Sequence, residues 1–125
     1  MGDSIALTAA DGHRFAAYRA SPAGTPRGAL VVAPEIFGVN GHIRAVADGY
    51  AADGYLAIAP ALFDRVQRDY ETGYDPDDIQ AGIAIKQAID FGDVLKDIDA
   101  AIAHGQSAGR VAIVGYCWGG SVRCV

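Results

Sequence analysis

Apolar positions along the chain follow two rhythms. Residues 29–33, 55–59 and 111–114 are short, nearly unbroken apolar runs, the mark of strands buried on both faces of a parallel sheet. Between them the pattern changes to a period near 3.6. Ile43, Val46, Ala47, Tyr50 and Ala51 share one face of a helix predicted over 41–53, which Gly54 closes. Val94, Leu95, Ile98, Ala101 and Ile102 mark a second such face, closed by His104 and Gly105. Asp75-Pro76-Asp77-Asp78 predicts the start of a further helix, running to near Phe91. The signal is a capping acid, then proline at the first helical position, then acids facing the positive end of the helix dipole. Two more short strands, 4–9 and 14–20, flank Asp11-Gly12, a favoured dipeptide for a tight hairpin turn. Residues 60–74 read as irregular.

Strands that alternate with amphipathic helices make an α/β chain with a mostly parallel sheet and helices on both faces, here entered through an N-terminal antiparallel hairpin. No linker or internal repeat divides residues 1–125, so they form a single domain or part of one. Hydrophobic residues make up 51% of the chain, too many for disorder. No apolar run approaches the roughly 20 residues of a membrane span, and no secretory leader pattern opens the chain. The expected setting is cytoplasmic. The net charge of -5, with no basic stripe, argues against a nucleic-acid partner. Two cysteines seven positions apart on one helix would be separated by about 10 Å of rise, too far for a disulfide. No His or Cys near them has metal-ligand spacing, so no metal is expected.

Chemistry concentrates at two points, each after a buried run. Gly115-Tyr116-Cys117-Trp118-Gly119-Gly120 has the form of a nucleophile elbow, where glycines two before and two after the apex relieve the crowding of strand against helix. A thiol at that apex would sit by a helix N-terminus, which favours thiolate, and the Trp118 N–H would face a developing oxyanion. The competing reading is a small buried thiol with no chemistry. The second point is Pro34-Glu35-Ile36-Phe37-Gly38, at the carboxyl end of the 29–33 run, the edge where doubly wound sheets bind ligands. The Ile36 N–H is the candidate second oxyanion donor, and Glu35 is a candidate for proton handling at the thiol.

Three segments, 31–40, 51–60 and 114–120, together with their spacing, resemble the dienelactone hydrolase family over nearly all of 29–120. The resemblance implies a truncated α/β-hydrolase fold and a cofactor-free hydrolase that opens an enol-lactone through a thiol-ester. It matches Cys117 to the nucleophile and Glu35 to the glutamate that holds the resting thiol and helps deprotonate it. It matches Ile36 and Trp118 to the oxyanion amides.

Two departures bear on activity. Family members bind a substrate carboxylate partly through an arginine on the helix before the third segment. Here residues 78–91 contain none, and Arg65 and Arg68 of the preceding loop are the candidates to replace it. The fold's chain order also puts an acid and a histidine after the nucleophile. The chain stops at Val125, and His13, His42 and His104 do not fill the gap. The expectation is a domain ending just after the elbow, weak or inactive alone, and prone to self-association through an exposed edge at 110–115. Its partner otherwise is a small-molecule ester or lactone. Two other readings stay open: a flavodoxin-like thiol protein of the amidotransferase or DJ-1-like group, and a non-catalytic fragment that binds a partner.

Overall fold

A computed structural model of the chain describes residues 2–34 and 36–115. Five strands, β1 (Asp3–Thr8), β2 (Arg14–Ala20), β3 (Ala29–Ala33), β4 (Leu56–Pro60) and β5 (Val111–Gly115), form one sheet in the order β1-β2-β4-β3-β5. The β1–β2 and β2–β4 pairs are antiparallel, while β4–β3 and β3–β5 are parallel. The flavodoxin-like order is 2-1-3-4-5, so that competing reading does not fit this sheet.

Period-two alternation sends each strand's side chains to two helical layers. On one face, Ile43 and Ala47 of helix α1 (Gly41–Ala52) cover Ala20, Val32, Ala57 and Ala59. On the other, Val94, Ile98 and Ala101 of helix α3 (Phe91–Gly105) cover Phe15, Ala17, Ala29, Val31 and Ile58. Alanine dominates the α1 side of β4, where Ala57 and Ala59 leave room for the helix to lie close. Helix α2 (Pro76–Ala88) joins the larger layer through Ile85, and its start has the capping box that Asp75 and Asp78 announce.

The hairpin turn falls at Asp11-Gly12, as expected. Ala9 pairs with His13, the Gly12 N–H donates to the Ala9 carbonyl at 2.9 Å, and Gly12 sits at φ +88°. This is a three-residue loop ending in a left-handed glycine. Within 60–74 the structure adds a single 3-10 turn, Leu62–Arg65, which buries Leu62, Phe63 and Asp64. Asp64 ties that turn to β2 by accepting the Ala16 N–H at 2.8 Å. At the far end of the sheet order, β5 has only β3 beside it among the described residues. Ala112 is exposed, and Val111, Ile113 and Val114 are half-buried. No described helix is long and apolar enough to cross a membrane.

Candidate functional site

Two of the sheet's parallel strands end side by side. In the β3–β5 ladder Ala33 is the register partner of Gly115, so the segments leaving both strands start from adjacent points on one sheet edge. Glu35 and Cys117 each come two residues later in sequence. Glu35, Cys117 and Trp118 lie outside the described residues. Ile36, the fourth candidate, is described and buried.

The loop from Ile36 to Asn40 is held from several sides. Helix α2 crosses so closely that a Cβ on its buried Gly82 would overlap the Ile36 carbonyl oxygen and lie 3.1 Å from the Ile36 Cβ. Gly38, at φ +79°, forms a bridge to Glu71, and any side chain there would run into the Tyr70 carbonyl. Only glycine meets both demands. The Thr72 N–H donates to the Phe37 carbonyl at 3.0 Å, and the Phe37 and Tyr74 rings meet edge to face at 4.4 Å between centroids. Asn40 works in two directions. Its side-chain oxygen caps α1 by accepting the Ile43 N–H at 3.1 Å, while its amide nitrogen donates to the Thr72 carbonyl and the Tyr74 hydroxyl. Arg44 donates to the Val39 carbonyl at 2.8 Å and grips both oxygens of Glu71 at 3.1 and 3.2 Å. Residues 36–40 are thus clamped between α1, α2 and the 70–74 segment. These contacts restrain the backbone from the Ile36 carbonyl to Asn40.

Arg65 does not replace the missing helix arginine. Its guanidinium forks onto Asp97 at 2.8 and 3.0 Å and onto Asp11 at 2.9 and 3.2 Å, joining the hairpin turn to α3. Asp97 is fully buried. Burial pushes its carboxyl up from the ordinary value while the guanidinium opposes this, and the two carboxylates hold Arg65 above its own ordinary value. Hydrogen bonding to Arg65 pulls Asp11 the other way, down to about 2. With both forked edges taken by Asp97 and Asp11, and Asp93 3.9 Å away as well, Arg65 has no bidentate edge left for a substrate carboxylate. Arg68 is exposed, with Asp64 3.8 Å away.

A cavity of about 250 Å3 opens between Tyr18, Val39, Arg44, Asp64 and Tyr70. Among the described residues Ile36 does not line it, and it borders the 69–71 segment from the β2 side. His13 stacks on Phe15 at the hairpin, His42 is exposed at the start of α1, and His104 lies in the last turn of α3. Among the described residues no three His, Cys, Asp or Glu side chains gather as a metal would need.

The profile of the dienelactone hydrolase family matches residues 15–125. The chain belongs to that family. It is 38% identical to the carboxymethylenebutenolidase of Pseudomonas putida over 129 aligned positions, covering 98% of this chain and 54% of that protein. It is 30% identical to carboxymethylenebutenolidase 1 of Cupriavidus pinatubonensis, again over 98% of this chain and 54% of the relative. A crystal structure from Klebsiella pneumoniae, of a protein assigned as a dienelactone hydrolase, superposes with a TM-score of 0.73 at 35% identity, covering 94% of this chain and 52% of that one. This member of the dienelactone hydrolase family therefore spans about half the length of the relatives it matches. Its mixed sheet, with helices on both faces and an N-terminal antiparallel strand pair, has the α/β-hydrolase fold.

Proposed function

We propose that the chain carries the nucleophile and oxyanion hole of a cofactor-free carboxylic ester or lactone hydrolase of the dienelactone hydrolase type. The observation that supports this most is the Ala33–Gly115 register, because it starts the Glu35–Ile36 and Cys117–Trp118 segments from neighbouring points of one sheet edge. In this reading the Cys117 thiolate attacks the carbonyl carbon and the carbonyl oxygen takes the negative charge. The N–H groups of Ile36 and Trp118 receive that charge, and the leaving alkoxide departs as the thiol-ester forms. Glu35 holds the resting thiol, takes its proton and passes it to the departing alkoxide. Water then releases the acid and restores the thiol.

A general base typically contributes ~10²–10⁴ in rate, and the acid and histidine expected after the nucleophile are not among these 125 residues. The isolated chain should therefore acylate more readily than it turns over. Mixing it with p-nitrophenyl acetate should give p-nitrophenolate equal to at most one acyl group per chain, followed by slow release, with the adduct mapped to Cys117. Cys117→Ala should lose the burst. A burst that survives this substitution, or that maps to Cys124, would overturn the nucleophile assignment.

A further inference from the structure

The segment that encloses the Ile36 loop has a one-sided charge. Residues 69–78 carry Asp69, Glu71, Asp75, Asp77 and Asp78, and no basic residue occurs from 69 to 85. This is the stretch that bridges Gly38, bonds Phe37 and Asn40, and lays Gly82 against Ile36. All five acids are exposed or half-exposed, so solvent carries their field around the segment that adjoins the loop. The nearby cations do not balance them. Arg44 is held by Glu71, and Lys86 is a single exposed charge one turn beyond Gly82. Arg65 is committed to Asp11 and Asp97, and Arg68 lies beside Asp64. The apolar surface at this rim is contributed by Tyr74, packed on Phe37, and by Ile79 on the first turns of α2, 51% and 36% exposed.

We infer that this site selects esters with an uncharged acyl group and discriminates against substrates carrying a carboxylate, through the negative rim of residues 69–78. This rests on the proposed nucleophile at Cys117 and concerns its choice of substrate. An anion approaching a surface with about three uncompensated negative charges is depleted by repulsion that salt screens. A neutral acyl group meets Tyr74 and Ile79 without that cost. A lactone whose carboxylate needs a free guanidinium finds both loop arginines beside acids.

The test compares two alkylating probes of nearly equal size, neutral iodoacetamide and anionic iodoacetate, on the full chain. Rates at Cys117 are read by peptide mass spectrometry and divided by the rates of each reagent with 2-mercaptoethanol. At low salt the normalised iodoacetate rate should fall below the iodoacetamide rate on the order of 5-fold, and the gap should close near 1 M salt. Asp69→Asn combined with Asp77→Asn should narrow it at low salt. Asn accepts the left-handed backbone of Asp69 (φ +59°), so the pair of substitutions leaves the fold intact. Glu71→Gln, which leaves Arg44 without its carboxylate, should narrow it further. Equal normalised rates, or a preference for iodoacetate, would overturn the inference while leaving the p-nitrophenyl acetate burst to judge the nucleophile separately. A preference for iodoacetamide that neither salt nor the substitutions change would also overturn it, because the selection would then not be electrostatic.

Discussion

Replacing Gly82 by alanine tests how the Ile36 peptide is held. In an isolated helix the change is favourable by about 0.8–1.0 kcal/mol, since glycine is the poorer helix former. Here the added methyl overlaps the Ile36 carbonyl oxygen and stands 3.1 and 3.2 Å from the Ile36 Cβ and carbonyl carbon. Ordinary C···O contacts are about 3.3–3.6 Å, so α2 and the loop must separate by roughly 1 Å. Overpacking of this kind costs typically 1–3 kcal/mol, so the net effect on stability runs from near zero to about 2 kcal/mol destabilising. The functional effect should be larger. Loss of one oxyanion donor costs about 10²–10³ in rate, and a 1 Å misplacement can cost about as much as the lower figure. Acylation by p-nitrophenyl acetate passes through a tetrahedral oxyanion, whereas alkylation by iodoacetamide does not. Gly82→Ala should therefore slow the burst by on the order of 100-fold and leave alkylation of Cys117 within about 2-fold. Urea unfolding supplies the stability arm. A variant that gains the full helix-propensity increment and acylates at the parent rate would refute the reasoning, because the contact would then have relaxed without moving Ile36.

Arg65→Met should destabilise the chain by about 3–5 kcal/mol in urea titrations by leaving Asp97 buried and unpaired, and adding Asp97→Leu should recover most of that loss; a small effect of Arg65→Met alone would contradict the assignment. Asp11 has a folded value of about 2, below its ordinary 3.8, so its contribution is present above about pH 4 and is lost as pH falls toward 2. Asp11→Asn should flatten the thermal-stability profile in that window, and an unchanged slope would show that the Arg65 bond is not formed in solution. We also expect the chain to self-associate through the β5 edge, which has no strand on its outer side among the described residues and whose half-buried Val111, Ile113 and Val114 favour strand addition; a sharp monomer peak in light scattering at tens of micromolar would refute this.

Local signals carried most of the architecture. The 29–33 and 55–59 runs became β3 and β4 within one residue, and Asp75-Pro76 opened α2 at the expected position. Where the outcome depended on distant partners, local reading fell short. Arg65 looked like a free loop cation because its two carboxylates lie 54 residues earlier and 32 residues later in the chain. Asp97 sits among the apolar positions of α3 with nothing in its neighbourhood to show that it would be buried. Gly82 gave no signal at all, since a glycine inside a helix acquires meaning only from what crosses it. Ile36 was legible as an oxyanion candidate from its place after a buried strand, but the clamp around it was not. Asn40, Arg44, Glu71 and Thr72 belong to segments joined only by the fold.

The order of strands also sets an order of events. The β1–β2 hairpin closes over a three-residue loop, so it forms from neighbours in the chain. The β3–β5 pair brings together residues about 80 apart in sequence, the longest closure in this sheet and the slowest kind of contact to form. That same pairing brings the two segments of the proposed chemistry to one edge. On the proposed function, the two segments of the site would therefore come together only once this long-range pairing has formed. While the chain is still partly folded, Cys117 should react as an ordinary thiol.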